Sequence, residues 1–259
     1  MRVSRRATDQ RPDRSRTLGD RVMASASTHA RAARPLRGRL WAALRLLLLV
    51  FLLAPPVLIL VYRFLPPPVT PLMLIRWAEG YPIRQTWVPY DAIAPTLAPA
   101  VIASEDNRFC EQGFGFDLGA LREQVDAWWE GERPRGASTI TMQTAKNLYL
   151  WPGRDPLRKL LEAWLTPQVA LLWPKQRVLE VYLNVVEFGP GLYGAEAAAR
   201  SLFRKPAGSL SAHEAAQLAS VLPSPLVWSA ELGSPAMRRR AAVIQRRVGQ
   251  IRPLLACAQ

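Results

Sequence analysis

The feature that most constrains this chain is one long apolar run near its N-terminus. Residues 41–62, WAALRLLLLVFLLAPPVLILVY, carry a single charged side chain, Arg45, in 22 positions. At a helical rise of about 1.5 Å per residue, such a run is roughly 33 Å long and can cross the hydrocarbon core of a bilayer. We therefore predict a transmembrane helix over residues 41–62, kinked or locally broken at Pro55 and Pro56, with Arg45 reaching back to the headgroups.

Much of the positive charge of the chain precedes this run. The formal net charge is +14, and the first 39 residues hold eleven Arg against three Asp. By the positive-inside rule, this excess predicts a cytoplasmic N-terminus and places residues 63–259 outside the cytoplasm. Residues 1–40 have few large apolar side chains, so we predict a disordered basic tail. A nucleic-acid-binding tail is the alternative, but the tail lacks the interleaved aromatic residues that stack on bases.

A cleaved signal peptide is an alternative interpretation of the apolar run, with residues 46–53 as its apolar core. No small-residue cleavage site follows them, and the apolar run resumes at Val57, so we favour an uncleaved anchor. Residues 63–79, which include Pro66-Pro67-Pro68, are predicted to be a linker.

Residues 80–259 carry one helix signal after another. Patterns typical of a helix start occur at Asp155-Pro156, Ser211 with Glu214, and Ser234-Pro235. Pro167 is expected to bend or end the helix that begins at Pro156. No alternating strand pattern or repeat follows residue 90, so we predict one mainly α domain with its own core.

Few side chains of this chain suit a structural metal. There are two cysteines, Cys110 and Cys257, and two histidines, His29 and His213. The cysteines are too far apart for a zinc ribbon or a CxxC redox centre, and Ser-His-Asp hydrolysis is poorly supported by this count. Outside the cytoplasm the two cysteines could form a disulfide, which the sequence leaves open.

Three segments concentrate polar and charged side chains. SEDNRF at 104–109 sets two carboxylates beside an arginine, and RKLLE at 158–162 sets two cations on one helix face with Glu162. RGASTITMQTAKNL at 135–148 crowds polar groups at a helix start, where a phosphate can bind. Each segment alone also fits a surface ion pair or a capped amphipathic helix. Together they suit a reaction that needs a general base and stabilises a departing phosphate.

These segments, followed by KQRVLEVYLNVVEFGPGLYGAEAAA at 175–199, resemble the successive motifs of glycosyltransferase family 51, the peptidoglycan glycosyltransferases. The resemblance covers about residues 80–230 and, with one anchor and no transpeptidase domain, is closest to the monofunctional members. It implies a lysozyme-like, mainly α glycosyltransferase domain, at residues 80–259, on the periplasmic face of the cell inner membrane. The implied reaction polymerises lipid II into glycan strands by inverting glycosyl transfer and releases undecaprenyl diphosphate.

The resemblance also implies roles for individual residues. Glu105 resembles the catalytic base, and Glu162 resembles the second glutamate, which organises the diphosphate. The substrate-binding residues implied by the motifs are Asp106, Arg108, Ser138, Thr139, Gln143, Lys146, Asn147, Arg158 and Lys159. In the fourth motif, a fold-supporting role is favoured for Glu180, Tyr182, Asn184 and Gly194.

No cofactor is expected to be required and no metal site is assigned, although a divalent cation, Mg²⁺ or Mn²⁺, at Glu162 stays open. The expected partners are lipid II, the growing glycan chain and membrane lipids, without nucleic acid. Penicillin-binding proteins and division proteins are further candidates.

The chain departs from the family pattern at two places. Gln112 stands where the family often has His, in a loop at 109–117 that is one residue longer, and Met142-Gln143-Thr144 replaces the common Gln-Gln-Leu. Two alternative functions therefore stay open: a lysozyme-like glycan-cleaving enzyme, and an inactive cell-wall scaffold.

Trp128 and Trp129 are expected either to touch the membrane or to anchor a helix at 117–130 in the core, on one face with Leu118, Leu121 and Val125.

Overall fold

The computed structural model describes residues 36–132, 136–153 and 155–258. The chain divides into two compact units, residues 1–50 and 51–259. The described residues form eleven α-helices and three short strands, confirming the mainly α prediction: α1 (Leu36–Tyr62), α2 (Pro71–Ala78), β1 (Arg84–Gln85), α3 (Leu97–Glu105), α4 (Leu118–Trp129), α5 (Ile140–Tyr149), α6 (Pro156–Leu172), α7 (Lys175–Val185), β2 (Glu187–Gly189), β3 (Leu192–Tyr193), α8 (Ala195–Phe203), α9 (Ala212–Val221), α10 (Pro225–Trp228) and α11 (Pro235–Ile251).

Helix α1 has the length and composition of a membrane-spanning helix. Its candidate span, Arg37–Tyr62, has a mean hydropathy of 2.7, and its side chains are almost all exposed. The helix begins before the predicted residue 41 and continues through Pro55 and Pro56, so the predicted break is wrong. The two prolines remove only the N–H groups that would bond two carbonyls of the preceding turn, and apolar helices in a bilayer tolerate this loss. A single-pass membrane anchor fits this helix. The predicted disordered tail lies largely outside the described residues.

The last turns of α1, from Phe51 onward, pack against the domain. The ring of Phe51 stacks on that of Trp164 at 4.9 Å between centroids. The indole N–H of Trp173 donates to the carbonyl of Ile59 at 2.7 Å, and Arg177 donates to the carbonyl of Tyr62 at 2.8 Å. Residues 51–62 are therefore part of the folded domain.

A helix, α2, lies within the segment that the sequence predicts as a linker. Thr70 caps its N-terminus by accepting a hydrogen bond from the backbone N–H of Met73, and Pro71 occupies the first turn. Leu72 and Met73 are buried, and the helix packs against α5. Part of the predicted linker therefore contributes to the core.

The central helices of the domain are α5, which contacts both α6 and α7, and α3, which contacts α9 and α11. The helix starts predicted from sequence are confirmed: Asp155 and Ser234 accept backbone N–H bonds at their N-caps, and Ser211 forms a capping box with Glu214. Helix α6 runs through Pro167, so of the two predicted outcomes, a bend or an end, the end is wrong. Next to the proline, the hydroxyl of Thr166 donates to a carbonyl of the preceding turn, which adds a bond where the backbone has lost one.

A small sheet in the order β1-β3-β2 connects α7 to α8. β3 pairs parallel with β1 and antiparallel with β2. After β3, Gly194 adopts φ +79°, and a Cβ there would lie 2.6 Å from the carbonyl oxygen of Asn184. Only glycine fits this turn without strain, so its role is in the fold, as predicted.

A disulfide joins Cys110 to Cys257, which resolves the option that the sequence leaves open. Cys110 lies in a short 3₁₀ helix, Phe109–Glu111, that follows closely after α3. Nearby, the hydroxyl of Tyr90 donates to the carbonyl of Ala258 at 2.8 Å. The disulfide thus attaches the C-terminal segment to the loop after α3, and the Tyr90 bond attaches it to the segment before α3.

Helix α4 exposes its apolar face. Leu118 is 69% exposed, and Leu121 and Val125 are about half exposed. The interpretation of this face as a core anchor is therefore wrong for these three residues. Trp129 is 75% exposed, while the side chain of Trp128 lies outside the described part of the chain.

Candidate active site

Glu105 is the last residue of α3, and uncharged groups hold its carboxylate. The hydroxyl of Ser104 donates to its Oε1 at 2.9 Å, and the side-chain amide of Gln143 donates to its Oε2 at 3.2 Å. Within the described residues Glu105 forms no ion pair, and its side chain is half-buried. A carboxylate held by neutral donors keeps its position while its charge stays uncompensated, which suits a proton acceptor.

Helix α5 brings Gln143 to this carboxylate, and α7 fixes Gln143 from behind. The Oε1 atom of Gln143 accepts a hydrogen bond of 2.9 Å from the hydroxyl of Tyr182. Tyr182 is fully buried in the core. The retained amide of the altered second motif therefore contacts the predicted base.

Glu162 on α6 is in the opposite electrostatic setting. Arg158 donates to its Oε2 at 2.5 Å, and Lys159 donates to its Oε1 at 2.7 Å. Glu162 and Arg158 are buried, whereas Lys159 is about half exposed. One helix thus supplies a carboxylate and two cations at i, i+3 and i+4 spacing, as the sequence predicts. The group carries a net positive charge and can bind an anion.

Lys146, Asn147 and Ser138 line a polar cavity of about 350 Å³ together with Arg158 and Glu162. Burial lowers the pKa of the Lys146 ammonium, and the nearby Glu162 carboxylate acts against this shift. The ammonium of Lys146 makes no hydrogen bond to another group of the described residues, so it is available to a ligand in the cavity. The hydroxyl of Ser138 accepts a hydrogen bond from Lys159 at 3.2 Å.

A second, mostly apolar cavity of about 430 Å³ shares Ser138 with the polar one. Phe116, Leu118 and Leu121 form part of its wall, and Lys159 lies at its polar side. The two cavities together can accept a molecule with an anionic part and an apolar part.

Asp106 and Thr139, predicted to bind substrate, are buried and bonded within the protein. Asp106 accepts hydrogen bonds from the amide of Gln112 at 2.6 Å and from the backbone N–H of Ile140 at 3.0 Å. Burial raises the pKa of the Asp106 carboxyl to about 6. Thr139 caps α5 and donates to the carbonyl of Gly115 at 2.6 Å. Asp106 therefore fixes the start of α5 relative to the end of α3, and Thr139 fixes it relative to the loop that contains Gly115.

Arg108 is exposed and directed to a different pocket. Its guanidinium pairs with Glu111 at 2.9 Å and lies 3.8 Å from Asp117. These carboxylates raise the pKa of Arg108, the hydrogen bond to Glu111 contributing most. The structure does not bring Arg108 into the polar cavity that Lys146 and Glu162 line.

Two charged residues of the polar cavity are missing from the sequence prediction. Arg76 on α2 and Glu187 on β2 line it, 3.6 Å apart. Burial raises the pKa of Glu187, and Arg76 opposes the shift. The Thr70-Pro71 pair is a helix-start signal that could have revealed α2. No local pattern indicates that Glu187 faces the same cavity.

The residues around Glu162 do not fit a divalent cation in this arrangement. Both oxygens of Glu162 already bind cations, and the described residues contain no group of three or more His, Cys, Asp or Glu side chains placed to hold a metal. Mg²⁺ and Mn²⁺ prefer several oxygen ligands. A metal would have to displace Arg158 or Lys159 from Glu162.

Comparison with known proteins agrees with this geometry. Residues 73–248 match the model of the family described as Transglycosylase. Proteins called biosynthetic peptidoglycan transglycosylase are similar to this chain: one of Rhodospirillum centenum is 54% identical over 74% of this chain and 83% of its own length. One of Caulobacter vibrioides is 46% identical, over 80% of this chain and 90% of its own length. One of Pseudomonas fluorescens is 48% identical, over 78% of this chain and 86% of its own length. The chain therefore belongs to the transglycosylase family, glycosyltransferase family 51, as its motifs predict, and is a peptidoglycan glycosyltransferase.

Proposed function

We propose that this enzyme uses lipid II as its substrate, extends a glycan strand by inverting glycosyl transfer and releases undecaprenyl diphosphate. The observation that carries the proposal is the contrast between its two glutamates. Glu105 is held by neutral donors, and Glu162 is neutralised by two cations. One carboxylate is thus suited to accept a proton, and the other to organise positive charge.

In the proposed step, the 4-hydroxyl oxygen of the acceptor sugar attacks the anomeric carbon of the growing chain. The new C–O bond forms as the bond to the diphosphate oxygen breaks, and the electron pair of that bond leaves with the diphosphate. Glu105 takes the hydroxyl proton. One displacement at the anomeric carbon inverts its configuration, in contrast to the double displacement of a retaining glycosidase.

The leaving diphosphate is assigned to the polar cavity. Lys146 and Arg158 line this cavity, and Lys159 lies beside it at Ser138. Their charges stabilise the anion that develops as the bond breaks, and burial strengthens the interaction relative to water. Glu162 keeps Arg158 and Lys159 in position, because its two oxygens bind one each.

The apolar cavity supports a lipid-linked substrate. It adjoins the proposed diphosphate site at Ser138 and Lys159, and its wall includes Leu118 and Leu121. A polyprenyl chain attached to the diphosphate can occupy it. With α1 in the inner membrane and the N-terminus in the cytoplasm, the site would face the periplasm, where a lipid-anchored substrate is confined to the same bilayer.

The two alternative functions have less support. A lysozyme-like hydrolase does not need the cations of the polar cavity. The scaffold interpretation rests on Gln112, but this residue is buried and donates to Asp106, so the change is accommodated in the fold. Penicillin-binding proteins and division proteins stay predicted partners from the family resemblance.

Polymerisation of labelled lipid II by the detergent-solubilised full chain tests the proposal. We expect polymer from the wild type and at least about a 100-fold lower rate from Glu105→Gln, because a general base contributes about 10²–10⁴-fold. Glu162→Gln is also expected to be impaired. The exposed Glu231 offers a matched control, and Glu231→Gln should retain the wild-type rate.

Two outcomes would contradict the proposal. The first is polymerisation of lipid II by Glu105→Gln at the wild-type rate, which would remove Glu105 as the base. Alternatively, the wild type could leave lipid II monomeric but release soluble fragments from purified sacculi, which would favour the hydrolase.

A further inference from the structure

We propose that Tyr182 is a positioning residue of this reaction, whose hydroxyl orients the Gln143 amide so that its NH₂ group, and not its oxygen, faces Glu105. The inference rests on the proposed role of Glu105 as the base. It assigns to Tyr182 a role beyond the fold support that its motif suggests.

The geometry forms a chain of two hydrogen bonds. The hydroxyl of Tyr182 donates to Oε1 of Gln143 at 2.9 Å, and Nε2 of Gln143 donates to Oε2 of Glu105 at 3.2 Å. The three residues come from α7, α5 and α3. Tyr182 is fully buried, whereas Gln143 and Glu105 are half-buried, and Gln143 lines the polar cavity. The chain thus runs from the core to the proposed base.

The direction of these bonds decides what Glu105 meets. An amide side chain has one accepting end and one donating end, and turning it over would set Oε1 of Gln143 against the carboxylate of Glu105. Two acceptors facing each other repel. The hydroxyl of Tyr182 stabilises the productive orientation by donating to Oε1.

Tyr182 is well suited to act only as a donor toward Gln143. Burial raises the pKa of its phenol well above the ordinary value, and the charges of Glu105 and Asp106 add to the shift. The phenol therefore keeps its proton at every pH at which the enzyme works. In contrast, a solvent-exposed hydroxyl could exchange its partner for water.

This chain of bonds matters because Glu105 has no ion pair among the described residues. Its position depends on Ser104, its neighbour in sequence, and on Gln143. Of these two, only Gln143 reaches it from another helix. If the amide turns, Glu105 loses one of its two donors and the alignment with the acceptor hydroxyl, which costs rate and not substrate affinity.

The test compares Tyr182→Phe, Gln143→Met and the double variant in the lipid II polymerisation assay of the full chain. Tyr182→Phe keeps the ring and its packing and removes only the hydroxyl. We expect kcat to fall about tenfold, the scale of one positioned hydrogen bond, with KM changed by less than about twofold. The acidic limb of the pH–rate profile should move to higher pH, because the turned amide of Gln143 no longer donates to Glu105. In the Gln143→Met background, Tyr182→Phe should have no further effect.

Tyr149 provides the matched control. It is a half-buried tyrosine on α5 whose hydroxyl is buried without a hydrogen-bond partner in the described structure. Tyr149→Phe should leave kcat and the pH–rate profile unchanged. Thermal unfolding of each variant separates loss of activity from loss of fold.

Three results would overturn the inference. The first is wild-type kcat and pH dependence in Tyr182→Phe while Glu105→Gln is inactive. The second is full additivity of the Tyr182 and Gln143 effects, since residues that act through each other do not add. The third is an equal loss in Tyr149→Phe. A fully active Glu105→Gln enzyme would instead refute the proposed base, so the two failures are distinguishable.

Discussion

Asp106 gives a pH dependence of stability that can be calculated from the structure. Its carboxyl is buried, and this burial raises its pKa from an unfolded value of 3.8 to about 6. Between these two values the native protein holds a proton that the unfolded chain releases. Stability therefore falls as pH rises from about 4 to 6. At about 1.4 kcal/mol per pKa unit, the loss through this window is about 3 kcal/mol.

Asp106→Asn removes the ionisable group and should remove this pH dependence. The amide keeps the shape, but one of the two donors, Gln112 or the backbone N–H of Ile140, loses its acceptor, so the variant should be less stable by about 1–3 kcal/mol at low pH. The assay is urea unfolding of both proteins in detergent, followed by tryptophan fluorescence. It is run at about pH 4.5, 5.5, 6.5 and 7.5, so that the series covers the titration of the native Asp106 carboxyl.

The informative quantity is the difference between the two proteins at each pH. Other groups, such as Glu187, titrate in both proteins and cancel in this difference. From about pH 4.5 to 7.5 the free energy of unfolding of the wild type should fall by about 2 kcal/mol relative to that of Asp106→Asn, because part of the loss of about 3 kcal/mol has already occurred below pH 4.5. A gap that is constant within about 0.5 kcal/mol across the series would refute the assignment of a raised pKa to Asp106.

Two further predictions concern the fold. Replacing both cysteines in Cys110→Ser/Cys257→Ser should lower the free energy of unfolding by about 2–5 kcal/mol, since the disulfide spans 147 residues and constrains the unfolded chain. Reductant should destabilise the wild type by the same amount and leave the variant unchanged. A loss below about 1 kcal/mol in the variant would contradict this prediction. Gly194→Ala should lower the free energy of unfolding by about 1–3 kcal/mol, because the φ of +79° and the carbonyl of Asn184 exclude a Cβ. Gly233→Ala, at an exposed position with open space for a Cβ, is the control, and both variants are compared by chemical unfolding.

The fold is predictable from sequence where a local signal determines the outcome. Asp155, Ser211 and Ser234 begin helices because their side chains accept backbone N–H bonds within a few residues. Prolines are less reliable signals, since α1 continues through Pro55 and Pro56, and α6 continues through Pro167. Local signals thus predict where helices begin better than where they end.

The site is predictable where one helix brings its residues together and less so where separate segments meet. Arg158, Lys159 and Glu162 meet because helical spacing alone brings them together. Whether Asp106 faces the substrate or the core depends on how α3 packs against α5, and Arg76 and Glu187 reach the cavity from distant segments. Such contacts are tertiary, and a single sequence carries no local trace of them.

The disulfide between Cys110 and Cys257 also constrains how the protein is made. The sequence contains no third cysteine, so a growing chain cannot form a wrong intramolecular pair. However, Cys110 is synthesised 147 residues before its partner, and during that interval any disulfide it forms joins two molecules. The loop beside Glu105 is therefore closed covalently only once the C-terminal segment arrives, and until then Cys110 must be kept reduced or released from another thiol.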